Sequence, residues 1–354
     1  MAAVLVSTSE AMRALSAQQS QTCIRRLTIA ACVGLLLGPA ALVAAPAETA
    51  DSEPLTPVPA VEALDSGKVE LGRRLFHDVR LSRDTKTSCV SCHDLARGGD
   101  DGRARSTAAD GRALDFNSST VFNAALNPRL NWRGNFRTLQ EQNEAVLLDP
   151  RLMNATWPDL LARLRADADY RVAFNARYGA PSERQHVLDA LATFQRSLLT
   201  PDARFDRYLR GEHDAITPEE ARGYQLFKGY GCTACHQGVN AGGNLFQKFG
   251  LFRDPFGERG GPTASDLGRY TITGREADRY VFRVPSLRNV AVTAPYFHDG
   301  NTASLTQAVE VMARSQLGRE LPGGDIDLIV KFLATLTGRY QGQSPAANSN
   351  SGSQ

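Results

Sequence analysis

The chain has 354 residues, enough for one large domain or two of ordinary size, and its 42% hydrophobic and 22% charged residues suit a soluble globular protein. That balance excludes a disordered chain and a purely membrane-embedded one. The formal net charge of +2 is accounted for by Arg13, Arg25 and Arg26 against Glu10, so the remainder is neutral and has no bulk charge to recruit nucleic acid.

Residues 25–45 read as a secretory signal: Arg25-Arg26, an apolar stretch from Leu27 to Val43, then small residues Ala44-Ala45 for a peptidase. Cleavage is expected near Ala45, making 1–45 a leader; its unusual length admits a true start downstream, at Met12. Ile29-Ala30-Ala31-Cys32 has the look of a lipidation box, but too few apolar residues precede it and the apolar run continues past it. An uncleaved anchor is the alternative to removal. A Pro-, Ala- and acid-rich linker covers 46–59, a Ser/Asn/Gly/Gln tail covers 341–354, and neither is expected to pack.

Helices are predicted over 159–164, 183–199, 217–228, 304–317 and 325–336, and no run of convincing alternation is found. Thr217-Pro218-Glu219-Glu220 combines a capping residue, a proline at the first helical position and a glutamate placed to close a capping box. The helix that follows carries Gly223-x-x-Leu226-Phe227 ahead of Cys232-Thr233-Ala234-Cys235-His236. The same order occurs earlier, with Gly72-x-x-Leu75-Phe76 ahead of Cys89-Val90-Ser91-Cys92-His93. This repeat predicts a mainly helical fold of two cytochrome c-like domains in tandem, 60–205 and 206–340.

Six cysteines are present; Cys23 and Cys32 lie in the leader, and Cys89, Cys92, Cys232 and Cys235 form two C-x-x-C-H runs. Two thiols one turn apart add to the vinyl groups of haem, and the next histidine places its imidazole under the iron. Each domain is therefore expected to hold one covalent haem c, with His93 and His236 as proximal ligands. A dithiol redox pair needs no following histidine, and a zinc site needs further ligands that these segments lack. Haem attachment of this kind follows export of an unfolded chain, which points to the periplasm.

Several further motifs extend this reading: Leu81-Ser82, Gly98-Gly99-x-x-Gly102, Asn117-Ser118-Ser119-Thr120-Val121-Phe122-Asn123, Val284-Pro285-Ser286-Leu287-Arg288-Asn289, Ala294-Pro295-Tyr296-Phe297-His298-Asp299-Gly300 and Ala308-Val309-Glu310-x-Met312. With them the sequence resembles the bacterial dihaem cytochrome c peroxidases and their MauG-like relatives over about residues 69–337. The resemblance implies reduction of hydrogen peroxide with electrons from a small cytochrome c or a cupredoxin. Electrons would enter at the His236 haem, with Met312 as its second ligand, pass Trp132, and reach the His93 haem. Without the resemblance, Met312 reads as one more apolar residue of an amphipathic helix.

The resemblance also makes Asn117 a side-chain ligand, and Thr293 and Pro295 backbone-carbonyl ligands, of a calcium ion; an asparagine capping a turn is the bland alternative. Arg283 and Arg288 are candidate partners of haem propionates, although a salt bridge would look the same in sequence. His298 is expected to be a structural hydrogen-bonding residue.

Two departures from the family pattern matter. Many relatives hold a second histidine on the first haem, where this chain has Ala108, Ala109 and Asp110. The first haem is thus expected to be five-coordinate or water-bound. The family's distal glutamate aligns with Leu152 in Pro150-Arg151-Leu152-Met153, with Gln142, Glu144, Asp149 and Asp110 as the remaining polar candidates and Asp149 first among them if the loop alignment shifts. A MauG-like oxidase of a partner protein is the second reading; the tyrosine that the methylamine-utilisation enzyme has at the Met312 position weighs against it. A dihaem electron carrier without turnover is the third, and a homodimer is left open.

Overall fold

The computed structural model describes residues 53–347; the leader with its cleavage site and anchor alternative, and residues 348–354, lie outside them. Local capping explains most helix starts. Asp65 accepts from the Lys68 N–H at the start of α1 (Ser66–His77), and Thr138 with Glu141 closes a capping box on α2 (Leu139–Leu148). Thr156 caps α3 (Trp157–Ala166), Asp167 caps α4 (Ala168–Tyr178), and α5 (Arg184–Ser197) and α6 (Arg204–Leu209) follow without side-chain caps. The predicted box at Thr217 and Glu220 opens α7 (Pro218–Gly229). Strand β1 (Phe246–Lys248), the short α8 (Pro255–Glu258) and α9 (Tyr270–Thr273), strand β2 (Val281–Arg283), α10 (Leu305–Leu317) and α11 (Gly323–Ala334) complete the order.

The five predicted helices correspond to α3, α5, α7, α10 and α11, and the fold is mainly helical as expected. The antiparallel pair β1–β2, with Phe246 opposite Arg283, is only three residues long, too short for alternation to register in sequence.

The Gly-x-x-Leu-Phe repeat has a packing reason. Helix α1 crosses α5 so closely that a methyl group on Gly72 would lie 2.0 Å from the Ala190 carbonyl oxygen. In the second half α7 crosses α11, and a methyl on Gly223 would lie 1.9 Å from the Leu328 carbonyl oxygen. Around each crossing sits a hydrophobic core. One runs from Leu71 to Leu198 and includes Phe76, Phe174 and Phe194; the other includes Phe205, Tyr224, Phe227, Phe332 and Leu336.

Two sequence expectations are corrected here. Part of the linker packs: Leu55 and Val58 are buried, and Leu55 joins the second core beside Gly238. Leu55 and Val58, in a Pro-rich segment, supply the buried contacts that composition alone hides. The tail also begins inside the fold, for Gln343 pairs with Tyr340 and the Ala346 N–H donates to the Ala96 carbonyl at 3.2 Å.

Buried asparagines join the halves. Asn123 and Asn289, both left-handed at φ 58° and 62°, close the two Asn-terminated motifs and donate to the same hydroxyl, Thr200 Oγ1, at 2.7 and 3.0 Å. Asn240 donates to the Asn123 carbonyl and to Asn127 Oδ1. The described residues 53–347 fall within one compact unit.

Candidate haem sites

Both C-x-x-C-H runs fold into a single tight turn, Cys89–Ser91 and Cys232–Ala234, in which the second cysteine's N–H donates to the first cysteine's carbonyl at 3.1 and 3.2 Å. Side chains three apart in such a turn stack on one side, so each pair of thiols faces the same way. None of the four is paired in a disulfide. Loss of hydration pushes the Cys89 thiol up to about 12 and the Cys232 thiol up to about 11, the opposite of the lowered value that a redox dithiol needs.

The two histidines are held alike. His93 Nδ1 lies 3.1 Å from the Gly99 carbonyl, and His236 Nδ1 lies 3.1 Å from the Ala241 carbonyl. A carbonyl only accepts, so Nδ1 carries the proton and Nε2 presents its lone pair, the tautomer a metal requires. Burial lowers both imidazoles, His236 to about 4, keeping them neutral. The repeat phenylalanines pack on them, with Phe76 at 6.4 Å from His93 and Phe227 at 6.5 Å from His236 between ring centroids.

The second turn opens into a cavity of 460 Å³ lined by Cys232, Cys235, His236, Trp132, Arg283 and Met312, a volume in the range of cofactor pockets. Ala308, Val309, Met312, Ala313 and Gln316 bring one face of α10 to it. Arg283 is buried there with only main-chain acceptors, Asn131 O at 3.1 Å and Val284 O at 3.4 Å, and burial lowers it to about 10. A buried guanidinium without a carboxylate suits a ligand that brings its own, as haem does. The residues present therefore fit a covalently held haem.

Arg288 is a correction. It does not line the cavity; it pairs with Asp206 at 2.7 Å and donates to Val239 O and Thr56 O at 2.8 and 2.7 Å. These contacts tie the 53–59 segment and α6 to the second core and hold the guanidinium away from the cavity.

Trp132 lines the cavity, and its Nε1–H donates to the Asn117 carbonyl at 2.9 Å. Asn117, Thr293 and Pro295 line that same cavity. The Asn117 amide donates to the Arg103 carbonyl at 2.9 Å, which turns Oδ1 to the other side. Three oxygens fall short of the six to eight that calcium takes. His298 is the structural residue expected, its Nε2 at 2.6 Å from buried Asp266. Sequence reasoning missed Asp266 and Arg259, which pair with each other and, through Arg259, with Asp299; no motif marks them.

Around the first turn, the loop at Ala108–Ala109 is bonded to the Leu152 turn, for the Ala109 N–H donates to the Arg151 carbonyl at 3.1 Å. The two departures from the family pattern are thus neighbours. Of the four polar candidates, Asp110 is bound to Arg112, Glu144 to Arg184 and to the Trp157 indole N–H at 2.9 Å, and Asp149 to the Arg151 N–H and side chain. Asp149, first among them only if the loop alignment shifts, closes the Leu152 turn through its bond to the Arg151 N–H. Gln142 alone keeps a buried side-chain oxygen without a partner.

Paired thiol–imidazole turns in a helical frame mark the class of proteins that take haem covalently. Residues 66–214 match the family model described as "Di-haem cytochrome c peroxidase". The chain is 42% identical over 291 residues to the cytochrome c peroxidase Ccp of Escherichia coli, covering 82% of this chain and 62% of that one, so it spans less than two thirds of that relative. It is 39% identical to the cytochrome c551 peroxidase of Nitrosomonas europaea, covering 89% of this chain and 92% of that one. A solved MauG-like protein associated with microbial copper homeostasis superposes with a TM-score of 0.68 at 31% identity, over 79% of this chain and 92% of that one. The chain belongs to the dihaem cytochrome c peroxidase and MauG family, and haem is the cofactor that this family implies. Among the described residues no helix is long and apolar enough to cross a membrane.

Proposed function

We propose that this protein is a periplasmic dihaem peroxidase that reduces hydrogen peroxide to two waters, taking up two protons and two electrons. The electrons come one at a time from a small cytochrome c or a cupredoxin. Haem bound at each turn supplies an iron that exchanges single electrons and, at the first turn, meets peroxide. The carrying observation is an asymmetry: the cavity beside His236 is faced by the thioether of Met312, whereas the loop neighbouring the Leu152 turn offers only Ala108, Ala109 and an ion-paired Asp110. A thioether opposite histidine favours electron transfer at high potential, and an open position favours chemistry.

On this reading His93 and His236 hold the irons through Nε2, Cys89, Cys92, Cys232 and Cys235 hold the rings, and Arg283 neutralises a propionate. Trp132 lies on the electron route between the sites. Gln142 is the group left to orient peroxide by its amide. Leu152 cannot move a proton between the peroxide oxygens, and a positioned acid–base group there is worth about 10²–10⁴-fold. Turnover is therefore slow beside a relative with glutamate. Calcium bound by Asn117, Thr293 and Pro295 with further oxygens would stiffen the seam beside Trp132.

A second reading, oxidation of a residue of a partner protein, is favoured by the MauG proteins among the relatives, such as that of Methylorubrum extorquens at 34% identity over 72% of this chain; the lost glutamate favours instead a non-catalytic electron carrier. The test is peroxide-dependent oxidation of reduced cytochrome c by the protein as isolated, both haems ferric. Turnover without prior reduction supports the peroxidase. No turnover, even after partial reduction, removes it and leaves the partner-protein oxidase or a non-catalytic carrier.

A further inference from the structure

Trp132 sits in a network more elaborate than a simple stepping stone needs. Its Nε1–H donates to the Asn117 carbonyl at 2.9 Å, and the Asn117 N–H donates in turn to the His298 carbonyl at 2.8 Å. The His298 ring stands edge-on to the indole, 6.3 Å away between centroids. An amide carbonyl is not a base that can remove the indole proton. An indole that gives up an electron here keeps Nε1–H and carries a positive charge until the electron is replaced. Such a charge inside a protein is costly unless a negative group lies close by.

His298 leads to that negative group. Its Nε2 is 2.6 Å from Oδ1 of Asp266, a fully buried carboxylate that also accepts from Thr263 Oγ1 at 2.7 Å. Arg259 reaches in from the surface, 30% exposed, and pairs with Asp266 and with buried Asp299. Two carboxylates face one guanidinium. Phe282, at 4.4 Å from the His298 ring, and Phe249 and Phe256 enclose the histidine and keep water from screening the pair.

We infer that Asp266, acting through His298, and Arg259, acting against it at the same carboxylate, set how readily Trp132 passes an electron. The inference rests on the relay reading of Trp132 given above. Asp266 and Arg259 are positioning residues in this scheme, because neither lines the cavity; His298, which does line it, carries their effect to the indole. The step balances within the protein: the indole loses one electron toward the His93 site, regains one from the His236 site, keeps its proton and ends unchanged.

The test uses the holoprotein with its second haem reduced beforehand, mixed with peroxide, and the loss of that haem's reduced absorbance followed through a single turnover. Both haem potentials are titrated separately. Asp266→Asn is expected to slow the transfer on the order of tenfold, and Arg259→Gln to speed it by a similar factor, with both potentials unchanged. A merely structural role slows both variants, so the opposite signs are the signature of charge. Trp132→Phe is measured beside them. If it slows the transfer while the two variants shift together or not at all, the inference fails and the relay stands. If Trp132→Phe leaves the rate unchanged, the relay reading falls and takes the inference with it. Should Asp266→Asn not fold, Arg259→Gln decides alone: a faster rate supports the inference and an equal or slower one overturns it.

Discussion

The two halves of the molecule use the same device around the thiol–imidazole turn and different devices opposite it. Around the turn, each has a glycine at a helix crossing, a phenylalanine on the histidine, a single turn carrying two thiols, and a carbonyl that orients Nδ1. Opposite it, the second half sends in the α10 face with Met312, and the first half has a short loop of alanines bonded to the Leu152 turn. The repeated parts are local in sequence, within about two dozen residues of each histidine. Of the differing parts, Met312 and Leu152 arrive from far along the chain while Ala108 and Ala109 follow His93 closely, and on the reading proposed above this is how one duplicated scaffold takes two roles.

The largest expected effect comes from restoring the missing acid. Leu152→Glu should raise peroxide turnover by about 10²-fold, at the lower end of what positioned acid–base groups supply. Steady-state oxidation of cytochrome c measures it, and an unchanged rate would mean that the Leu152 turn does not face the peroxide. Next come the crossings. Gly72→Ala and Gly223→Ala should each destabilise by about 1–3 kcal/mol in chemical unfolding, since a backbone oxygen cannot step aside for the new methyl and this outweighs alanine's helix preference. Equal losses would uphold the equivalence of the halves; a loss in one alone would break it.

These variants also show what sequence can and cannot reveal. The haem turns, their histidines and the α7 capping box are legible because each is a short run whose chemistry needs neighbours only. The Gly-x-x-Leu-Phe repeat is visible, but its cause, the close approach of α5 to α1 and of α11 to α7, lies more than a hundred residues away. Helices α1, α2, α4 and α6 passed unpredicted, and α2 and α4 have scattered apolar residues that bury only a narrow stripe. Leu55 and Val58 pack from within a stretch whose prolines read as linker. Arg283 and Arg288 stand five residues apart, one just before and one within the Val284–Asn289 motif, and look interchangeable, yet the three-dimensional position of Asp206 separates a cavity residue from a structural one.

Gln142→Leu sharpens the contrast on the open side. It removes the single buried candidate oxygen without a partner, and turnover should fall about tenfold with stability unchanged or slightly improved, because an unpaired buried acceptor costs free energy in the resting protein. A fall in thermal stability with unchanged turnover would instead make Gln142 a packing residue.

The smallest effect belongs to the closed side. Arg283→Gln removes a buried positive charge at the cavity that holds His236 and Met312, and a nearby cation favours the reduced, less positive form of an iron centre. The potential of the second haem should therefore move down, by about 60 mV or less, equivalent to at most a tenfold change in a one-electron equilibrium. The first haem should not respond, since Arg283 bonds only to Asn131 and Val284 beside the second cavity. Spectroelectrochemical titration of both haems reads the two shifts together. If both potentials fall equally, the charge acts across the seam and the halves are coupled electrostatically as well as by Trp132; if only the second falls, the division of labour extends to the propionates.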